Sequence, residues 1–305
     1  MCRVMAYLGS PVLLDNLIYQ PDNSLVRQSY APQMLHMLNL AGFGMVAWDE
    51  SSHQPETPYL YKSTELPVFD SNLKNLAGKV RTSCLLAHVR GVPYTHEARV
   101  ETANVHPFQY PGMRMAMAHN GDLYGFSQMK YDLLKHIKPE IARHISGTTD
   151  SEWIYALLMS RVEDPASDLE LDEILPAVEE TLEIIRDVRH KKGIAISSSV
   201  NLFLCDGNDL VATRFTFDFG CFANNVHEAN LSYLSLWFTI GRDYGCYEDE
   251  WRMVGGVQEA DSVLVASEPL SQDVSTWIEV PEYSLLYVTT NQKGRREVQM
   301  LPLEV

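Results

Sequence analysis

No stretch of the sequence supplies the ~18–20 uninterrupted apolar residues that a spanning helix needs, which argues against a membrane as partner. Basic residues are in deficit: 24 Lys plus Arg against 40 Asp plus Glu leave a formal charge of -16. A surface that acidic repels phosphate backbones and anionic lipid, so nucleic acid is a poor expectation too. Acidity is also a common route to solubility. Cysteine is scarce. The five, Cys2, Cys84, Cys205, Cys221 and Cys246, are odd in number and form no CxxC, so neither a disulfide framework nor a zinc knuckle is expected. A reducing cytoplasm fits that usage. The opening residues Met1 to Leu8 hold one basic residue, no adequate apolar run and no cleavage signal, which predicts no secretory peptide.

What is present is apolar. Hydrophobic residues make up 46% of 305, enough for a large core and against general disorder. That length allows one or two domains of about 150 residues. No repeat, low-complexity tract or linker divides it. Val4 to Leu8 reads as a strand ended by Gly9-Ser10-Pro11, followed by an irregular stretch over roughly 15–35 with Pro21 and Pro32 as breakers. Gly44 to Trp48, Cys84 to Val89 and Met115 to Ala118 are apolar runs of strand length, read as strands covered on both faces. Ser127 predicts the cap of a helix that Pro139 stops. A second helix starts near Thr149-Asp150-Ser151-Glu152, and a third spans about 172–190. Asn201 to Cys205, Asp206-Gly207-Asn208 and Leu210 to Phe215 spell a hairpin. Further strands are expected at 233–240, 262–267 and 284–289. Strands at both ends with helices between predict one layered α/β or α+β domain, with the layer order open.

Cys2 opens the chemistry. Removal of Met1, which a small second residue favours, joins a thiol and a free α-amine on one carbon. An α-amine titrates near 7.7–8.0, so part of it is neutral near pH 7 and can take the thiol proton. A cysteine that merely follows Met1 is the alternative. In Met117-Ala118-His119-Asn120-Gly121-Asp122, a strand running into an Asn-Gly turn can aim the Asn120 amide and the Gly121 N–H at one point. That is the donor pair of an oxyanion hole; an ordinary hairpin turn is the alternative. Arg90, at the end of Leu86-Ala87-His88-Val89-Arg90-Gly91, offers a guanidinium fork to a carboxylate or forms a structural ion pair. Asp150 can accept from a cationic amine or only cap its helix. His88, His96, His106 and His119, with Glu97 and Glu101, crowd one region. They lack HExxH spacing and a suitable Cys ligand, so no metal is expected. His106 reads as a hydrogen-bonded structural histidine, and Cys84 and Cys205 as buried small hydrophobes.

Taken in order, these pieces resemble the class-II glutamine amidotransferases, members of the N-terminal-nucleophile hydrolases. The carriers are Met1-Cys2-Arg3, Ala87-His88-Val89-Arg90, Asn104-Val105-His106-Pro107-Phe108, His119-Asn120-Gly121 and Thr148-Thr149-Asp150-Ser151-Glu152. Asn201-Leu202, Asp206-Gly207, Thr213-Arg214 and Ala266-Ser267-Glu268-Pro269-Leu270 also match. The resemblance covers nearly the whole chain. It looks closest to the stand-alone branch of the EgtC-type enzymes of ergothioneine synthesis and the yeast glutathione-degrading amidotransferase-like protein. There Cys-Arg opens the chain, and Gln28-Ser29 and Gly42-Phe43-Gly44 have counterparts.

The resemblance implies an α+β fold, a four-layer αββα sandwich, with residues 1–305 as a single domain from which Met1 is removed. It implies Cys2 as nucleophile on a γ-glutamyl amide carbonyl, with its own amine as base and proton donor. Asn120 and Gly121 would hold the oxyanion. Arg90 would take the glutamyl carboxylate and Asp150 its ammonium, with Gly91 and Thr149 also at the substrate. No cofactor is implied. Two departures stand out: Gly91-Val92-Pro93 where the family often has a small hydroxyl residue, and Ala41 in place of an acidic one. The expected reaction is hydrolysis of a γ-glutamyl amide or peptide to glutamate and an amine. A glutaminase subunit that feeds ammonia to a synthase is the alternative, and a silent scaffold the second. A small-molecule γ-glutamyl substrate and a synthase or peptidase partner protein follow from these readings. The leaving-group side falls to the loops 50–70, 91–103 and 220–231 by position, with Phe217, Phe219, Tyr233, Trp237 and Tyr244 as aromatics that either line it or pack in the core.

Overall fold

The computed structural model describes residues 2–34, 38–92, 99–221 and 235–305. Strands β1 (Arg3–Leu13), β2 (Phe43–Trp48), β3 (Tyr59–Ser63), β4 (Arg81–Val89) and β5 (Ala116–Gly121) precede most of the helical mass. Strands β6 (Ser198–Cys205), β7 (Leu210–Arg214), β8 (Thr216–Phe217), β9 (Trp237–Gly241), β10 (Asp243–Tyr247) and β11 (Glu250–Val254) follow it. Strands β12 (Ser262–Ala266), β13 (Ile278–Glu279), β14 (Ser284–Thr290) and β15 (Arg296–Pro302) close the chain. One sheet has the order β13-β9-β12-β1-β4-β2-β3 and a second the order β15-β14-β7-β6-β5.

The layers follow from side-chain alternation. Both faces of the central strands are apolar, so each sheet is covered twice. Between the sheets lie Val4, Ala6 and Leu8 of β1, Leu86 of β4, Ala116 and Ala118 of β5 and Phe203 of β6. The other face of β1, Met5 and Tyr7, packs on the short helices α1 (Leu14–Ile18), α2 (Leu25–Gln28) and α3 (Ser71–Ala77) and on the β10-β11 hairpin. The outer face of the second sheet, with Met117, Leu202 and Leu204, meets α4 (Phe126–Leu133), α5 (Pro139–Ala142), α6 (Asp150–Met159) and α7 (Leu171–Lys191). The result is the four-layer αββα sandwich, with one outer layer shared between helices and a hairpin.

Several local readings are corrected. Gly9-Ser10-Pro11 does not end β1, which continues to Leu13 past a register shift between Leu8 and Val12. A bulge lets a strand carry breakers without stopping. The irregular stretch contains α1 and α2, whose apolar residues Leu14, Leu17, Ile18 and Leu25 are buried by packing rather than favoured by local propensity. Ser127 is not a cap: the cap position of α4 is Gly125, at φ 73°, which glycine adopts freely. Pro139 opens α5 rather than ending a longer helix, since a helix's first turn does not need its missing N–H. Thr149 caps α6 as the spacing predicts, accepting from the Glu152 N–H.

Candidate active site

The inner row of β1 runs Val4, Ala6, Leu8, and Cys2 stands one step earlier at its open end. β4 pairs antiparallel with β1, Val4 opposite His88, which brings Arg90 level with Cys2 just past the strand. The Arg90 backbone stays in the sheet: its N–H donates to Gly42 O at 2.8 Å, and its carbonyl accepts from Ala41 N at 2.9 Å. The second sheet contributes β5, where Asn120 Nδ2 donates to the Cys2 carbonyl at 2.6 Å. Cys2, Arg90, Gly91, Gly121, Thr149 and Asp150 line one cavity of about 300 Å³. Of the residues singled out for the site, Asn120 alone does not line it; Asn120 is fully buried against the Cys2 backbone.

The Asn-Gly turn is corrected. Asn120 and Gly121 are the last residues of β5, opposite Asn201 and Val200, and Gly121 is not in a positive-φ conformation. Glycine is required there by proximity: a Cβ would stand 1.9 Å from Ser199 O and 2.4 Å from His119 Nε2.

Asp150 sits in the first turn of α6, but the capping is done by Thr149. The Asp150 carboxylate accepts from Leu123 N at 2.7 Å and Ser151 N at 2.9 Å and keeps its place on the cavity wall. Two residues quoted without a role prove to shape the site. Asn104 binds both sides of Thr148, accepting from its N–H at 2.7 Å and donating to Oγ1 at 3.1 Å. Glu152 accepts from the N–H groups of Ser146 at 2.9 Å and Gly147 at 2.6 Å. Together they pin the turn that delivers Thr149 and Asp150. Arg99 and Asp122 also reach the cavity, and no spacing signal marked either.

Burial raises the Cys2 thiol above the ordinary cysteine value, and the nearby Arg90 charge acts against it. Cys2 is 7% exposed, with Sγ 3.7 Å from Gly91 O. A neutral thiol in that setting needs a base to become a nucleophile. His119 is buried and held below its ordinary value by desolvation, so it is neutral. Its Nε2 faces Ser199 O at 3.3 Å, which only accepts, so Nδ1 accepts from Ser151 Oγ at 2.9 Å. His106 differs from expectation. Among the described residues neither ring nitrogen has a hydrogen-bond partner, and the ring packs on His88 at 4.0 Å and Phe108 at 4.7 Å. Burial drives both His88 and His106 well below the usual histidine value, so each packs as a neutral aromatic.

Among the described residues no group of three His, Cys, Asp or Glu is placed to hold an ion. His96, Glu97 and Tyr233 lie outside the described residues. Of the aromatics named for the leaving-group side, Phe217 and Tyr244 are core and Phe219 is exposed. Trp237 packs against the core on the outer face of the first sheet. From the loops named by position, Gly91, Val92 and Arg99 reach the cavity. No helix among the described residues is long and apolar enough to cross a membrane.

Two face-to-face sheets between helical layers, with the cavity at the head of a central strand, form the fold of the N-terminal-nucleophile amidohydrolases. Residues 41–224 match the family model for class-II glutamine amidotransferases, and the chain belongs to that family of enzymes. A probable glutamine amidotransferase from Saccharomyces cerevisiae, DUG3, is 28% identical over 94% of this chain and 82% of its own. A γ-glutamyl-hercynylcysteine sulfoxide hydrolase from Mycolicibacterium smegmatis is 28% identical over 53% of this chain and 63% of its own. A glutamine aminotransferase class-II domain protein from Silicibacter pomeroyi superposes with a TM-score of 0.61 at 18% identity, covering 100% of both chains, a likeness of fold.

Proposed function

We propose that the protein hydrolyses a γ-glutamyl amide or peptide bond through a glutamyl thioester on Cys2. The observation that carries this reading is the shared cavity: Cys2, Arg90, Asp150 and Gly121 all line it. A glutamyl head is a zwitterion, so it needs one cation and one anion at fixed separation. Arg90 takes the α-carboxylate and Asp150 the α-ammonium.

With Met1 removed, the Cys2 amine takes the thiol proton as sulfur attacks the γ-carbonyl. The oxyanion forms beside the Gly121 backbone on the cavity wall. Asn120, whose Nδ2 donates to the Cys2 carbonyl, fixes the attacking residue's backbone. Collapse breaks the C–N bond, and the ammonium returns its proton to the leaving amine. Water, deprotonated by the same amine, then attacks the thioester and releases glutamate and the free thiol. No cofactor takes part in any step.

The test is glutamate release from a panel of γ-glutamyl amides that includes glutamine and glutathione. Efficient cleavage of a γ-glutamyl peptide by the isolated chain supports the reading. Absence of release from every member refutes it. The name of the yeast relative favours a second reading, in which ammonia passes to a synthase. A partner that raises glutaminase activity and couples it to a second product is the result that would establish it.

A further inference from the structure

The strongest unassigned feature near the cavity is a buried ion pair behind the nucleophile. β12 ends at Ala266, and the next two residues hold the start of β1. Ser267 N–H donates to Val4 O at 2.9 Å, and Val4 N–H donates to Ser267 Oγ at 3.1 Å. Glu268, 1% exposed, accepts from Arg3 Nε at 3.0 Å, and Arg3 is itself 2% exposed. The same guanidinium donates through a terminal nitrogen to the Cys2 carbonyl at 3.0 Å. That carbonyl therefore accepts from two sides, Arg3 and Asn120. The other oxygen of the Glu268 carboxylate accepts from Asn23 Nδ2 at 2.8 Å and Gln33 N at 3.0 Å, and the oxygen that holds Arg3 also accepts from Met34 N at 3.2 Å.

A pair buried this fully is weak evidence of added stability, because desolvating two charges offsets most of their attraction. Apolar residues of similar volume hold a core at least as well. What the pair does here is geometric. The Cys2 carbonyl carbon is bonded to the α-carbon that bears the side chain and the nitrogen. Clamping the carbonyl plane sets the direction of both.

We infer that Glu268 is a positioning residue for the nucleophile: it orients Arg3, and Arg3 with Asn120 locks the Cys2 carbonyl so that thiol and amine face the cavity. This rests on the proposed role of Cys2. Without the carboxylate, the buried guanidinium turns to other acceptors and the clamp loses one arm. Misplacement of a reacting group by about 1 Å costs on the order of 10²-fold in rate.

The experiment compares the full chain with Glu268→Gln, Glu268→Asp and the double variant Arg3→Met/Glu268→Met, using γ-glutamyl-p-nitroanilide. Rates are expressed per Cys2 thiol titrated by iodoacetamide and located by peptide mass, so a misfolded fraction drops out. Expected are a kcat lower by about 10- to 100-fold in Glu268→Gln and in the double variant, KM within about threefold, and partial recovery in Glu268→Asp. The double variant keeps the test alive if Glu268→Gln does not fold, because its apolar pair leaves no buried charge. Turnover that depends on Cys2 but keeps its wild-type kcat in the double variant overturns the clamp alone. Turnover that survives Cys2→Ala overturns the clamp together with the reading beneath it.

Discussion

At Gly121 the backbone of β5 passes so close to β6 that one added carbon would collide with the Ser199 carbonyl. Gly121→Ala must therefore move a strand that also carries Asn120. The expected cost is about 1–3 kcal/mol, read as a lower unfolding midpoint in urea. Arg90 acts on a different quantity. Arg90→Ala removes a charge-assisted contact of about 1.5–3 kcal/mol, so kcat/KM for γ-glutamyl substrates falls by about 10- to 150-fold. Amides lacking the α-carboxylate should lose far less between wild type and variant. Equal losses on both substrate sets would contradict the carboxylate role. At this scale the sequence was legible as a grouping: Cys2, Arg90 and Asp150, far apart along the chain, all reach one cavity. It was misleading where a residue pair has a common default. Asn-Gly reads as a turn because glycine tolerates positive φ, whereas here glycine answers to Ser199, 78 residues away, which no local pattern encodes.

Elements show the same division. The capping signal at Thr149 and the apolar spacing of α7 are local, and both were legible. Pro139 has two local meanings, stopping one helix or starting another, and only the packing of Ile141 into the core selects the second. The strands β10, β11, β13 and β15 left no usable pattern, since half-exposed strands carry weak alternation. The turn before α6 is where element and site meet. Gly147 has no room for a Cβ, with Asn104 Oδ1 at 2.5 Å and Glu152 Oε2 at 2.8 Å. Glu152→Gln keeps the shape but turns an amide N–H₂ toward donors that now face a carboxylate. KM for γ-glutamyl substrates should rise several-fold as Asp150 loses its fixed place. An unchanged KM, measured beside an unfolding curve, would show that the turn holds without it.

The whole molecule carries a pH signature. His88, His106 and His119 are fully buried and stay neutral when folded, because burial holds each below its ordinary value. In the unfolded chain they take protons near pH 6.5. The unfolded state thus binds more protons below that pH, and stability falls as pH drops from about 7 toward 5. The loss amounts to as much as about 2 kcal/mol per histidine at pH 5. Urea midpoints at the two pH values measure it, and His106→Phe should flatten the slope. A flat wild-type profile would mean that these rings gain protons without unfolding.

The pairing of β1 with β12 also has a consequence in time. Arg3 and Glu268 are separated by 265 residues along the chain, so β1, which finds β4 early on one edge, gains β12 on the other only much later in synthesis. At about 5–20 residues per second, the interval on the ribosome is on the order of ten to fifty seconds. Throughout it one edge of β1 stays unpaired, and the buried Arg3–Glu268 contact beside Cys2 is the last to form when that edge closes.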